Sequence, residues 1–310
     1  MNNVAHALLR AASTLVSTLG VLAAQQTTQQ TTFDFHSNFW VNLHHFLYEQ
    51  AVAKSPEQSE SEAWNHAVEV YRSDITKHEL LSRDISGINI ALSQIENTES
   101  LKGSGIDAEL TQTLERAAPV YKTRWWPQHN RQNLAWIEAA TPLVAKYEAV
   151  MKKELSAAYQ TPWPSEPIRT DVAEYASWAG AYTVLGPTHI TISSGNAGNA
   201  GPATIETLFH EASHGMIQKI SDALTAELDS QNKLFERRAF WHAVLFYTVG
   251  EVAQRHLNGY TMYGIKNGVL ERGWPGSLPV LEKDWKPYLD GKIDLDTAVH
   301  RLVTDHGVPK

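Results

Sequence analysis

The sequence contains no cysteine in its 310 residues. This absence excludes thiol nucleophiles, structural disulfides and cysteine-ligated metal sites. Basic residues are also few, since 26 Lys and Arg stand against 34 Asp and Glu, for a formal net charge of −8. Because phosphate backbones are bound through clustered Lys and Arg, this balance argues against a nucleic-acid partner. Any metal ion must be held by histidines and carboxylates, and the 14 histidines make that feasible.

Several enzyme motifs are missing as well. The sequence has no phosphate-binding loop, no dinucleotide fingerprint and no nucleophile elbow. Its composition, 43% hydrophobic and 19% charged, is typical of a globular protein.

The N-terminal residues 1–24 have the composition of a secretory signal. Arg10 precedes a run of small apolar residues, and cleavage is expected near Ala23 or Ala24. The run is too short for a comfortable transmembrane span, so we expect none in the mature chain. Residues 25–32, "QQTTQQTT", are predicted to be a flexible polar leader. We therefore expect an exported protein, periplasmic or secreted; the alternative for the first segment is an ordinary amphipathic helix.

The remaining chain divides into two regions with different sequence patterns. Residues 33–165 have helical periodicity, beginning at Phe33 and interrupted at Pro127. Residues 166–310 follow a proline-rich boundary and contain two short β-type runs, "AYTVL" and "HITISS", joined at Gly186-Pro187. We predict a mainly α protein with a small antiparallel β-sheet, in the α+β class, and a catalytic region in the second segment.

The stretch "TLFHEASHGMI" contains His210, Glu211 and His214 in the pattern H-E-x-x-H. On a helix the two imidazoles lie one turn apart, roughly opposite an apolar stripe, which is the arrangement that a two-histidine metal chelate requires. Zn²⁺ favours such nitrogen and oxygen ligands and keeps an open position for water in catalytic sites. Glu211 could accept a proton from that water. The alternative is a surface helix with two solvated histidines.

This arrangement resembles the zincin metallopeptidases, and among them the gluzincin branch, over about residues 178–257. The resemblance implies that His210 and His214 bind zinc and that Glu211 is the general base. It also implies a Glu ligand from a later helix and an edge strand, here 188–194, that binds extended substrate. Two family extensions are missing, because Ile220 stands where metzincins have their third His, and the continuation N-E-x-x-S-D does not occur.

The later helix offers two candidates for the third ligand, His242 and Glu251. They are nine residues apart, about 180° on a helix, so both cannot face one zinc ion. A carboxylate buried in an apolar helix is costly unless it is paired or ligating, whereas a neutral histidine is not. Arg255, one turn later, is a candidate partner for Glu251. We predict Glu251 as the ligand and His242 as a group near the substrate, or else a core histidine.

Two tyrosines follow that helix in "NGYTMYG". The phenol of Tyr260 or Tyr263 could stabilise the oxyanion of a tetrahedral intermediate, although tyrosines beside glycines are also common in ordinary turns. The sequence thus favours a zinc-dependent hydrolase, in particular a peptidase that cleaves peptides or other amides through a metal-activated water. The alternative is an exported helical binding or structural protein whose H-E-x-x-H helix binds metal without turnover.

Overall fold

The structure, a computed structural model, describes residues 31–57, 59–95, 100–237 and 239–310, without the side chains of 83 and 84. The predicted signal, residues 1–24, and most of the polar leader lie outside these residues. Thr31 and Thr32 are buried, and the N–H of Thr32 donates to Glu148 Oε2 at 2.7 Å. The last two leader residues therefore pack on the fold instead of forming a flexible segment.

A four-stranded mixed sheet lies beside the candidate site. Its order is β1-β2-β4-β3, with β1 parallel to β2, β2 parallel to β4, and β4 antiparallel to β3. The predicted hairpin around Gly186-Pro187 is confirmed as β3 and β4, but the prediction of an antiparallel sheet is wrong for the other two pairings. The strands are β1 (Phe33–His36), β2 (Ile168–Ala173), β3 (Ala181–Val184) and β4 (His189–Ser193), with a separate antiparallel pair, β5 (Lys233–Leu234) and β6 (Val308–Pro309).

Helices make up most of the chain, which confirms a mainly α protein of the α+β class. In the described ranges, no helix has both the length and the apolar character needed to cross a bilayer. The helices are α1 (Phe39–Val52), α2 (Glu62–Ser73), α3 (Arg83–Ser93), α4 (Ala108–Arg124), α5 (Trp126–Tyr159), α6 (Pro202–Ser213), α7 (Gln218–Ser230), α8 (Phe240–His256), α9 (Tyr263–Lys266), α10 (Val269–Gly273), α11 (Ser277–Val280), α12 (Lys286–Leu289) and α13 (Leu295–His306).

Two helix starts differ from the predicted ones, each for a local reason. The helix expected from Phe33 begins at Phe39, because Asn38 caps it by accepting a hydrogen bond from the N–H of Val41 at 2.9 Å. Pro127 does not interrupt a helix but lies in the first turn of α5, where a missing N–H costs nothing. The residues before Asn38 are thereby free to form strand β1.

The buried residues form two hydrophobic clusters. One lies among the sheet, α5, α6, α8 and α13, and the other among α1, α2 and α4. Tyr182 and Val184 of strand β3 belong to the second cluster, whereas Ile190 and Ile192 of β4 belong to the first. The two sequence regions 33–165 and 166–310 share one sheet, because β1 pairs with β2 across this boundary. Helix α5 also packs against α6 and α8, which bear the candidate metal ligands.

Candidate metal centre

Helices α6 and α8 bring three histidines together. His210 lies in the last turn of α6, His214 directly follows that helix in a helical conformation, and His242 is in the first turn of α8. The opposite side of α6 is fully buried through Ile205 and Leu208. The end of one helix therefore meets the beginning of the other at the imidazoles.

The three imidazoles lie close together, and one pair of them has the spacing expected of two ligands of one metal ion. Nε2 of His242 lies 3.2 Å from Nε2 of His210, and one ring nitrogen from each of His210, His214 and His242 lies within 4.8 Å of the others. Two nitrogens each about 2.0–2.1 Å from a tetrahedral zinc ion would be about 3.3 Å apart. Among the residues that the structure describes, these three histidines form the group of potential metal ligands that could hold one ion.

The three histidines are held in the neutral form that binds metals. Burial lowers the pKa of His214 to about 4. Burial and the neighbouring His214 lower the pKa of His242 to about 3, and burial with both neighbours lowers that of His210 well below its usual value. Nδ1 of His210 is buried without a hydrogen-bond partner. This departs from the usual arrangement, in which the second nitrogen of a ligating histidine donates to a protein acceptor.

Glu211 lies beside these histidines in the same cavity. Its Oε2 accepts a hydrogen bond from the Thr183 hydroxyl at 2.7 Å, so strand β3 fixes the carboxylate. Burial raises the pKa of Glu211 to about 7, and the bond from Thr183 partly opposes that rise. A carboxylate with a pKa near neutrality is suited to accept and return a proton. The role of Thr183 could not be predicted from the sequence, since a threonine in a short β-type run has no distinguishing feature.

A cavity of about 690 Å³ opens onto this group. The volume is in the usual range of small-molecule and substrate sites. Most of its wall is apolar, and Arg272 is the basic side chain among its lining residues. The lining combines the three histidines and Glu211 with strand residues Ala181, Tyr182 and Thr183, with Glu206 and Tyr263, and with the aromatic residues Trp178, Phe246 and Trp274.

Glu251 lies apart from the histidines, which corrects its predicted role as third ligand. It is 3% exposed, and its Oε1 accepts from Arg255 Nε at 3.3 Å and from Lys286 Nζ. These two cations offset the burial of the carboxylate, so no metal is needed to explain it. His242, predicted to lie on the substrate side, is instead the third member of the histidine group.

The structure also distinguishes the two tyrosines proposed for oxyanion stabilisation. Tyr263 lines the cavity, whereas Tyr260 is not among the lining residues. The Tyr260 hydroxyl is buried without a partner at hydrogen-bonding geometry, and its pKa is raised, first by burial and then by the charge of nearby Glu206. Only Tyr263 is therefore placed where it could contact a substrate.

The edge strand beside the cavity is β3 and not β4. The segment 188–194 was predicted as the edge, but β4 pairs with β2 on one side and with β3 on the other. Strand β3 ends the sheet order and contributes Ala181, Tyr182 and Thr183 to the cavity wall. The prediction placed the substrate edge one strand too far along the chain.

Comparisons of the chain with protein-family models, with curated proteins and with solved structures find no match.

Proposed function

We propose that this protein is a zinc-dependent hydrolase of zincin-like type, and in particular a peptidase. The observation that carries the proposal is the group of three neutral imidazoles beside the buried carboxylate of Glu211, at the wall of a substrate-sized cavity. Three protein ligands leave a fourth position open, which is typical of catalytic rather than structural zinc sites. Since the third candidate ligand is His242 and not a Glu, the proposal rests on the H-E-x-x-H helix and not on the gluzincin pattern as a whole.

Each residue of the group has a role in amide hydrolysis. His210, His214 and His242 would hold the ion through neutral ring nitrogens. Zinc, when bound, would polarise the scissile carbonyl and acidify water at its open position. Glu211 accepts a proton from the attacking water and delivers it to the leaving amine, and the Thr183 hydroxyl keeps its carboxylate in place. Tyr263 is proposed to donate to the developing oxyanion.

The free edge of β3 supports a peptide as the substrate. The N–H of Ser193 donates to the carbonyl of Gly180 at 2.8 Å, so these two residues face each other in the hydrogen-bonded register of the hairpin. Hydrogen-bonded and non-bonded pairs alternate in an antiparallel ladder, which turns the N–H and C=O groups of Ala181 and Thr183 away from β4. An extended peptide could pair with these groups and place its amide bonds along the cavity.

We also propose that the protein is exported and loses residues 1 to about 24, because the small apolar run after Arg10 and the alanines at 23 and 24 suit signal cleavage. N-terminal sequencing of the exported protein should begin near Gln25. An exported protein that retains Met1 would exclude cleavage.

The proposed activity is tested by metal analysis together with hydrolysis of a peptide library. We expect about one zinc ion per chain and cleavage of some library members. A chelator should abolish this cleavage, and added zinc should restore it. Full activity in protein freed of metal would refute the zinc mechanism. Stoichiometric zinc with no cleavage of any member would instead support the non-catalytic metal-binding alternative.

A further inference from the structure

A buried carboxylate connects the H-E-x-x-H helix to the segment that contains Tyr263. Glu206 lies on α6 one turn before His210 and is 2% exposed. Its Oε2 accepts a hydrogen bond from the N–H of Tyr263 at 2.8 Å. Burial raises the pKa of Glu206 to about 7, and the N–H groups of Tyr263 and Gly264 and the Tyr260 side chain, which face the carboxylate, oppose that rise. The groups that stabilise this acid therefore come from one short segment of the chain.

Backbone N–H groups, and not a cation, stabilise the charge of Glu206. Among the residues that the structure describes, Glu206 forms no ion pair, in contrast to Glu251, which has both Arg255 and Lys286. Helix α9 begins at Tyr263, and the first N–H groups of a helix have no partner within that helix. Hydrogen bonds to a charged acceptor are stronger than those to a neutral one. The contacts of Glu206 are thus those of an anchor that attaches the start of α9 to α6.

The ring of Tyr263 is confined by a second contact, at Gly198. A Cβ atom at Gly198 would lie 3.2 Å from both Cε2 and the hydroxyl oxygen of Tyr263. Any larger residue at 198 would therefore push the ring away. Gly198 lies in the short helical turn Ala197–Asn199, shortly before α6. The backbone and the ring of Tyr263 are thus both held by residues of α6 and the turn before it.

A fixed position of Tyr263 matters because a displacement of about 1 Å in a catalytic group can cost about 10² in rate. Helix α6 contains His210 and Glu211 as well as Glu206, and Tyr263 lines the same cavity. We infer that Glu206 is a positioning residue that holds Tyr263 where its hydroxyl can donate to the oxyanion in the proposed hydrolysis. This inference rests on the proposed function and adds a residue that acts through Tyr263 without contacting the substrate.

The test is a double-mutant cycle between Glu206→Met and Tyr263→Phe. Met has about the length of Glu but offers Tyr263 no oxygen acceptor. Glu271→Met is the control, because Glu271 is an exposed residue of α10 outside the cavity wall. Zinc content, kcat and KM are measured for each variant on a peptide found by library screening.

Tyr263→Phe should lower kcat about 10²- to 10³-fold, the usual effect of losing an oxyanion donor. Glu206→Met should lower kcat about 10- to 100-fold, since the hydroxyl is present but displaced, while KM and zinc content change little. In the Tyr263→Phe background, Glu206→Met should cost less than about threefold more, because the hydroxyl that it positions is already absent. Losses that multiply in the double variant would show that Glu206 does not act through Tyr263.

Two conservative variants separate positioning from an effect of charge. Glu206→Gln keeps an oxygen acceptor at the same distance, so it should recover most of the activity lost in Glu206→Met. Glu206→Asp keeps the charge but is one methylene shorter, so it withdraws the acceptor from the N–H of Tyr263. Positioning predicts a higher kcat for Glu206→Gln than for Glu206→Asp, and the reverse order would overturn it. This comparison also decides the matter if Glu206→Met fails to fold.

Fluorine NMR of zinc-loaded protein labelled with fluorotyrosine reports the position of Tyr263 without any hydrolysis. The resonance of Tyr263 is the one that Tyr263→Phe lacks. Glu206→Met should shift or broaden this resonance, whereas Glu271→Met should leave it unchanged. A shift in a protein that hydrolyses no peptide would uphold the anchoring of Tyr263 by Glu206 and refute the peptidase. An unchanged resonance in Glu206→Met would overturn the inference, whatever the protein hydrolyses.

Discussion

Replacing Glu211 with Gln should lower peptide hydrolysis about 10²- to 10⁴-fold, the usual effect of losing a general base. The change preserves the shape of the side chain and the hydrogen bond from Thr183, because the amide oxygen of Gln can still accept it. It removes the basic oxygen that takes the proton from water. Steady-state kinetics on a peptide found by library screening would measure the loss, mainly in kcat.

Zinc content distinguishes this effect from damage to the metal centre. Glu211 does not belong to the group of three histidines that would bind the ion, so Glu211→Gln should keep about one zinc ion per chain. Glu271 is an exposed residue of α10 outside the cavity wall, so Glu271→Gln is the matched control and should retain wild-type rates. If Glu211→Gln hydrolysed the substrate at nearly the wild-type rate, the assigned base would be wrong.

His242→Ala should weaken zinc binding by about a hundredfold or more, whereas Glu251→Gln should leave it nearly unchanged. Structural zinc sites with four ligands are worth about 10–16 kcal/mol, so a single ligand contributes on the order of 3 kcal/mol. His242 has a ring nitrogen 3.2 Å from that of His210, while the carboxylate of Glu251 is bound by Arg255 and Lys286. Competition with a chromogenic chelator would measure both affinities.

Glu251→Gln should instead affect the free energy of unfolding. The substitution removes the charge that pairs with Lys286 and Arg255, although Arg255 keeps its bond to Asp290 at 2.6 Å. Loss of one partner of a buried pair is destabilising, and here the cost is reduced because both cations are partly exposed to water. Zinc loss in Glu251→Gln, together with zinc retention in His242→Ala, would support Glu251 as the third ligand, as predicted from the sequence.

The features that the sequence predicted well are local in the chain. The relation between His210 and His214 follows from the pitch of one helix, and the hairpin around Gly186-Pro187 follows from two short β-type runs and the turn between them. A prediction of this kind depends only on residues within about ten positions of each other. The class of the fold could therefore be predicted, as could the close approach of His210 and His214.

The features that could not be predicted from the sequence depend on contacts between residues that are far apart in the chain. Helical periodicity placed His242 and Glu251 on opposite faces of α8 but could not show which face meets α6. The partner that decides the matter, Lys286, lies 35 residues beyond Glu251. The sequence showed Arg255 as one candidate partner for Glu251, and one partner did not outweigh the argument that a buried carboxylate binds metal. Lys286 of α12 is a second cation, and with two cations the carboxylate needs no metal.

The strand pairing and the edge strand were predicted wrongly because they also depend on residues far apart in the chain. Strand β1 has four residues, and its sequence "FDFH" continues the apolar spacing of the helix that follows, so the pattern alone did not separate them. Its parallel pairing with β2, across more than 130 residues of chain, carries no local signal. Once β1 and β2 are placed, β4 becomes internal and β3 becomes the edge beside Glu211.

The most direct test of the central claim is zinc K-edge X-ray absorption of the zinc-loaded protein, which reports the atoms bound to the metal. We expect three imidazole nitrogens at about 2.0–2.1 Å and one oxygen in the fourth position. The imidazole signal should fall in His242→Ala and remain in Glu251→Gln. A spectrum with two imidazoles and a carboxylate that disappears in Glu251→Gln, or a protein that binds no zinc, would contradict the account.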